Sequence, residues 1–287
     1  MQQTIQGLLD GAAETHVHGS PDVIPRKMRD SELVREAMEA KMEAIVLKCH
    51  HTLTSDRASL LQTCYPDIKV LGGIPLNNSA TGGFNPAAVD AALKMDARII
   101  WMPTVSALNT KVVKGLPLKK PPEEKVFDSP LSVLNDNGEI LPSVITIMEL
   151  IAENDAVLAT GHLSVTETKR LLWEAVRTGI TRILINHPQS YLIKMSVDDQ
   201  RELLRHGVFF ERCYVSHIFG LPFEEIVDAI KRVGPQSTIL ATDLGQVDNP
   251  SPVDGLGMFL DKLLQSGIPE KDLEVMVKKN PKQLLGI

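Results

Sequence analysis

Short apolar runs recur along this chain at a nearly constant interval, and that interval constrains the fold more than any other feature. Each run is rich in valine, isoleucine or leucine and ends in a polar, glycine or proline signal. The runs are AAETHVH, EAIVLKCHH, IKVLGGIP, ARIIWMPTV, DAVLATGH, TRILINHP, GVFFERCY and STILATDLG. Successive runs lie about 25 to 31 residues apart, with one longer step of about 58, which is close to the size of a strand–helix–strand repeat.

Segments with helix start and stop signals separate these runs. Ser31 is predicted to cap the helix SELVREAMEAKMEA, and Ser196 the helix SVDDQRELLRHG. Ser164 and Glu167 have capping-box spacing, and Gly179 follows the end of the same helix. Strands alternating with helices in this way predict an α/β fold, namely a (β/α)8 TIM barrel, although a doubly wound open sheet would give a similar pattern.

The one long step follows the fourth run and predicts an insertion. It spans approximately residues 105–141 of a single barrel domain that extends over residues 1–287. Within it, NDNG at Asn135 to Gly138 is typical of a hairpin turn. The insertion is interpreted either as a surface excursion or subunit contact of a homo-oligomer, or as a lid over an active site.

The composition excludes several classes of partner. A formal net charge of −6 argues against nucleic-acid binding, which normally requires a basic face. The chain has no run of about 18 apolar residues and no signal-peptide pattern at its beginning, so we expect no membrane association. Three cysteines favour a reducing compartment over a disulfide framework. The expected location is therefore the cytoplasm, and the expected partner is a small-molecule substrate.

Two of the eight histidines, His16 and His18, lie one residue apart in AAETHVHGS, at the end of the first run. On a strand, residues i and i+2 project from the same face about 6.6 Å apart, so both imidazoles can approach one metal ion. A lone pair of this kind is weak evidence, because paired histidines also occur in cores and on surface strands.

Three further polar residues end other runs and strengthen this interpretation. They are His162 in ATGHLS, His187 in LINHPQ and Asp243 in LATDLG. In a parallel barrel the carboxyl ends of all strands lie on one rim, so we expect these side chains to converge with the first two histidines. Imidazoles suit zinc, iron and nickel, and a carboxylate adds an anionic ligand.

The motifs THVHG, TGHLS, NHP and ATDLG, in this order, together with the closing KNPKQLLGI, resemble those of the amidohydrolase superfamily of metal-dependent barrels. The resemblance extends from Thr15 to Ile287 but identifies no particular branch. It implies a divalent metal, first of all zinc. The implied ligands are His16, His18, His162, His187 and Asp243.

The number of metal ions and the role of Lys48 are left open by the sequence. Binuclear members of the superfamily bridge two ions with a carbamylated lysine or a glutamate near strand 4 or 5, and ARIIWMPTV offers neither, which favours one ion with two as the alternative. Lys48, which shares a strand face with His50, is interpreted as an anchor for a substrate carboxylate or phosphate, as a carbamylated bridge, or as a partner of Glu14. Lys48, His50 and Glu211 are predicted to bind substrate.

The expected reaction is hydrolysis of an amide, ester or lactone bond in a small, anionic substrate by a metal-activated water. Asp243 would accept the proton of that water, and His187 would stabilise charge on the substrate oxygen. The alternatives are a metal-dependent decarboxylase, a phosphoesterase and, least favoured, a non-catalytic barrel that a metal stabilises.

Overall fold

Eight parallel strands form one sheet in the computed structural model, which describes residues 2–113 and 129–287. The strands lie side by side in chain order, from the first to the eighth. They are β1 (Ala13–Val17), β2 (Ala44–Leu47), β3 (Lys69–Pro75), β4 (Ala97–Trp101), β5 (Val157–Ala159), β6 (Ile183–Asn186), β7 (Phe209–Cys213) and β8 (Thr238–Ala241).

Hydrogen bonds between β1 and the residues after β8 close the sheet into a barrel. The amide of His18 donates to the carbonyl of Leu244 over 2.8 Å, and the amide of Asp243 donates to the carbonyl of His16 over 2.9 Å. The predicted (β/α)8 barrel is therefore confirmed, and the alternative of an open sheet is wrong.

Helices cover the outside of the barrel and the connections between strands. In the described ranges they are α1 (Gln2–Leu9), α2 (Asp30–Glu39), α3 (Ser55–Cys64), α4 (Asn78–Thr81), α5 (Pro86–Lys94), α6 (Leu108–Val112), α7 (Pro142–Glu153), α8 (Val165–Arg177), α9 (Val197–Leu203), α10 (Tyr214–Ile218), α11 (Phe223–Val233), α12 (Pro252–Gln265), α13 (Glu270–Glu274) and α14 (Asn280–Leu285). No described helix combines the length and apolar character that crossing a membrane requires.

The barrel interior is apolar at its lower end and polar at its upper end. The interior apolar cluster includes Ala44 and Val46 of β2 and Phe209 of β7, and α14 adds Leu284 and Leu285 from below. Because every second residue of a strand faces inward, the next inward positions along these strands belong to polar residues at the carboxyl end. This alternation places the candidate functional side chains in one layer above the core.

The helix caps bear out two of the three sequence predictions. The hydroxyl of Ser164 accepts from the amide of Glu167, whose carboxylate accepts from the amide of Ser164, so the capping box is confirmed. Ser196 caps α9 as predicted. The prediction for Ser31 is wrong: the cap is Arg29, two residues earlier, where the Glu32 carboxylate accepts from the amide of Arg29.

The predicted insertion lies between β4 and β5, and residues 114–128 of it fall outside the described residues. The NDNG hairpin is confirmed by an antiparallel bridge between Leu134 and Ile140. Helix α6 contacts the rim of the barrel, where the Asn109 side chain donates to the carbonyl of His162 over 3.2 Å. The described part of the insertion thus includes a segment that packs beside a candidate site residue.

We expect Ser164→Ala to lower the free energy of unfolding by about 1 kcal/mol, because the amide of Glu167 loses its acceptor. Urea denaturation followed by circular dichroism measures this change. Ser266→Ala is the matched control, since its hydroxyl only donates to a carbonyl at a helix end. Equal losses in the two variants would contradict the capping role of Ser164.

Candidate metal centre

His16, His18 and Asp243 converge at the carboxyl end of the barrel. Asp243 Oδ1 lies 3.0 Å from His16 Nε2 and 3.1 Å from His18 Nε2. The two histidines are buried at the end of β1, and the aspartate is partly buried just after β8. Two imidazole nitrogens and one carboxylate oxygen therefore face a common point.

The surroundings of His18 Nε2 indicate whether His16, His18 and Asp243 fit a metal ion. The atom is buried and makes no well-aligned hydrogen bond with any described residue, although Asp243 Oδ1 lies 3.1 Å away. A buried ring nitrogen without a partner is costly and needs an explanation. Nitrogen and carboxylate oxygen ligands around one point are the donor set of a divalent cation such as zinc, so the residues fit such an ion.

Glu211 determines the orientation and tautomer of His16. Its Oε2 lies 2.9 Å from His16 Nδ1, and its other oxygen accepts from the Thr15 hydroxyl over 2.7 Å. The Asn186 amide donates to the same Oε2 over 2.7 Å. Because a carboxylate only accepts, it favours a proton on Nδ1 and leaves Nε2 available to a cation. The structure thus places Glu211 behind His16, whereas the sequence interpretation placed it against the substrate.

The negative charges of the cluster favour cation binding, but the charge of Asp243 outweighs the effect of burial and raises the pKa of His16, so a cation at Nε2 must displace a proton. Burial lowers the pKa of His18 to about 3, with a further contribution from the charge of Arg26, and burial lowers the pKa of His187 to about 4. Both rings are therefore neutral, which is the form that binds metals. Burial opposes the charge of Asp243 and Glu211, but the proximity of His16 outweighs it, so the pKa of Asp243 is well below its usual value and that of Glu211 is about 2.

His187 belongs to a second, overlapping group, with His16, Glu211 and Cys213, whose potential ligand atoms lie within 4.8 Å of one another. Burial raises the pKa of the Cys213 thiol well above its usual value, so the thiol stays neutral and is a poor ligand. Glu211 and His16 Nδ1 already bond to each other. The group that contains Asp243 is therefore the better cation site, and His187 Nε2 lies 3.7 Å from Asp243 Oδ2 beside it.

His162 and His50 lie on the rim of the cluster. The His162 ring is 5.7 Å from the His187 ring between centroids, and the His50 ring is 4.8 Å from that of His18. The structure does not bring the predicted ligand His162 into either group of converging ligand atoms in the described part of the chain. Instead, its Nδ1 lies 3.3 Å from the hydroxyl of Thr110 in α6.

Lys48 lies inside the cluster. Its Nζ is 2.8 Å from His16 Nε2, the nitrogen that faces the proposed cation, and the residue is only 1% exposed. Burial lowers the pKa of this amine. The sequence interpretation as a substrate anchor assumed a side chain on the open cavity, but the structure places it at His16. A cation at His16 Nε2 would take the place of this contact, so cation binding requires Lys48 to give it up.

A cavity of about 140 Å³ lies above the cluster. Its polar lining includes His18, His50, His162, His187 and Asp243, and the remaining lining residues are Arg26, Ser190, Tyr191, Leu192, Val215, Ser216, Phe219 and Gln246. A larger surface hollow of about 620 Å³, beside α11, contains none of the clustered residues. The smaller cavity is thus the one that can bring a ligand to the metal centre.

The backbone is strained at two of the candidate residues. His187 has φ = 47° and Asp243 has φ = 53°, both in the left-handed region that residues with a side chain rarely adopt. Such strain accumulates at functional sites, where the surrounding structure fixes the geometry. Here the strained turns directly after β6 and β8 direct both side chains into the cluster.

Sequence reasoning gave Asn186 and Arg26 no role in the site and considered Glu14 only as a partner of Lys48. Glu14 accepts from the amides of His16 and Thr242 over 3.0 and 3.2 Å, and burial raises its pKa to about 8. Glu14 lies two residues before His16 on the same strand face, and Asn186 is the last residue of β6. Both positions could have indicated from the sequence that these side chains lie near the site. Arg26 lies in a loop after β1, where no periodic pattern could reveal its contact with His18.

The chain belongs to the family DUF6282, described as a family of unknown function, whose profile matches residues 11–211. No curated protein sequence matches it. It is similar to the solved structure of an amidohydrolase from Pseudomonas aeruginosa, with 11% identity, a TM-score of 0.61 and 98% of each chain covered.

Two further solved structures show the same likeness. A 2,6-dihydroxybenzoate decarboxylase from Rhizobium has 11% identity and a TM-score of 0.61, with 96% of this chain and 99% of that chain covered. A PTE-like lactonase variant from Deinococcus radiodurans has 15% identity and a TM-score of 0.60, with 97% of each chain covered. These likenesses, at 11 to 15% identity, agree with the barrel fold that the sequence predicted.

We expect Glu211→Gln to weaken zinc binding by about 10- to 100-fold, because the amide no longer holds the proton on His16 Nδ1. Titration against a chromophoric chelator measures the affinity. Glu202→Gln, at an exposed position, removes the same charge and should bind zinc like the wild type. Unchanged affinity in a folded Glu211→Gln protein would show that the carboxylate does not organise the site.

Proposed function

We propose that this protein is a metal-dependent hydrolase that cleaves an amide, ester or lactone bond of a small, anionic molecule. One observation carries the proposal: His16, His18 and Asp243 converge, and two of them, His18 and Asp243, line a cavity instead of lying in a closed shell. Structural metal sites are closed by four protein ligands, whereas catalytic sites keep a position for water or substrate. The fold shared with the amidohydrolase and the lactonase supports the same conclusion.

Zinc is the cation that we propose, as a single ion. Two imidazoles and a carboxylate suit zinc, and the second group of ligand atoms shares His16 with the first. The residues that would hold the ion are His16, His18 and Asp243. When bound, zinc supplies Lewis acidity, which lowers the pKa of water towards neutrality and polarises a carbonyl.

Asp243 is the proposed general base. Its carboxylate is anionic, because the proximity of His16 outweighs the effect of burial and keeps its pKa well below the usual value. One of its oxygens faces His16 and His18, and the other lies on the side of His187. We infer that Asp243 takes a proton from the attacking water and returns it to the leaving group.

His187 and His50 are the proposed substrate contacts near the reacting bond. Both line the cavity, and the neutral His187 ring can donate to the substrate oxygen that gains charge. A single donor of this kind contributes about 3 kcal/mol to transition-state stabilisation. Lys48 and Glu211 act on His16 rather than on substrate.

The proposal is tested by incubating the zinc-loaded protein with matched ester, lactone and amide substrates and analysing the products. We expect hydrolysis in the wild type, a loss of about 10²- to 10⁴-fold in kcat for Asp243→Asn, and loss of bound zinc and of activity for His16→Asn. His206→Asn is the control, because that histidine lies away from the cavity.

Product identity separates this proposal from its alternatives. Release of carbon dioxide from a carboxylate substrate would indicate a decarboxylase, and release of phosphate a phosphoesterase. Zinc content and turnover that remain at wild-type level in both site variants would refute the site itself.

A further inference from the structure

Arg26 is the one lysine or arginine among the described residues that line the cavity. It lies in the loop between β1 and α2, and only 4% of its side chain is exposed. Asp22 Oδ2 accepts from both Nε and Nη2, over 2.8 and 2.7 Å. This contact holds the guanidinium in place along one edge and uses a single carboxylate oxygen.

Two donors of Arg26 remain for other partners. Nη1 has no hydrogen-bond partner among the described residues, and Nη2 lies 3.2 Å from His18 Nδ1. A guanidinium can only donate, so this contact is a hydrogen bond only if His18 Nδ1 carries no proton.

A cation at His18 Nε2 changes that contact. A neutral histidine that binds a metal through Nε2 keeps its proton on Nδ1, and that nitrogen can no longer accept. The hydrogen bond from Arg26 to His18 is therefore incompatible with the loaded site, and loading leaves Arg26 with donors at the cavity wall that need an acceptor. Two neighbouring guanidinium N–H groups match the two oxygens of a carboxylate.

The remainder of the cavity limits the size and character of such a ligand. Its volume of about 140 Å³ is close to that of an engineered apolar cavity of about 150 Å³ that binds benzene. Tyr191, Leu192, Val215 and Phe219 supply an apolar wall. Asp243 is the one carboxylate among the described lining residues, and a divalent cation bound beside it would offset its charge.

We propose that Arg26 binds the carboxylate of the substrate, and that the substrates are carboxylic acids about the size of a single ring. This inference rests on the proposed function for the reaction, but its recognition step does not require turnover. Arg26 is then a specificity-determining residue that orients the substrate while the metal centre acts on the bond to be cleaved.

The test compares benzoate with benzamide, which has nearly the same shape without the charge, as ligands in calorimetric titrations. With zinc-loaded wild type we expect benzoate to bind at least 10-fold more tightly. In Arg26→Met the preference should fall below about threefold, because the guanidinium is lost. Lys27→Met, the matched control, removes one exposed charge from the same loop and should keep the wild-type preference.

The same titrations after chelation of the metal separate Arg26 from the cation. Equal binding of the two ligands to the loaded wild type, no binding of either, or a benzoate preference that survives in Arg26→Met would overturn the proposal. A preference that disappears on chelation but survives in Arg26→Met would show that the metal binds the carboxylate. Benzoate selectivity through Arg26 without hydrolysis of any substrate would support this inference and refute the proposed reaction.

If circular dichroism shows that Arg26→Met does not fold, a second variant, Arg26→Lys, tests the proposal. Arg26→Lys keeps the charge and loses the planar fork, so benzoate affinity should fall about three- to tenfold while benzamide affinity stays constant. Benzoate affinity equal to that of the wild type would then overturn the proposal.

Discussion

The seam that closes the barrel is the interaction on which the rest of the structure depends. The amide of Asp243 donates to the carbonyl of His16, which joins the last strand to the first, and the side chains of the same two residues form the metal centre. Glu14 strengthens the seam by accepting from the amides of both His16 and Thr242. The barrel cannot close correctly without bringing the candidate ligands together, so fold and site have one physical origin.

The polar layer above the core would be a poor choice for stability alone. Lys48, Glu211 and His16 are buried, and the cost of burying charged groups is only partly offset by their mutual attraction. Within the described ranges, His18 Nε2 and Glu14 Oε2 make no well-aligned hydrogen bond. These buried polar groups and the strained backbone at His187 and Asp243 lower the stability of the folded state. Features of this kind are typical of functional sites.

The sequence predicted the framework well because the relevant signals are local. Period-2 runs and cap residues such as Ser164 report the backbone directly, and residues at strand ends must share a rim once the barrel is known. The convergence of His16, His18 and Asp243 follows from this rule. The cap of α2 was predicted two residues late, because the capping pattern did not show that the Glu32 carboxylate accepts from the amide of Arg29.

What the sequence could not give was the direction and partner of individual side chains. Glu211 and Lys48 were expected to contact the substrate. Whether an inward side chain lines the cavity or contacts another site residue depends on its height along the barrel axis, which the sequence does not give. Both side chains contact His16. Arg26 reaches His18 from an irregular loop, whose path depends on contacts with Asp22 that no periodic pattern encodes.

The central claim is that the imidazoles of His16 and His18 and the carboxylate of Asp243 hold a common cation. Anomalous diffraction from crystals of the zinc-loaded protein tests it most directly. The account predicts one strong peak about 2.0–2.2 Å from His16 Nε2, His18 Nε2 and a carboxylate oxygen of Asp243. An ordered cluster without a peak, or a peak bound by Glu211 and Cys213 instead, would contradict it.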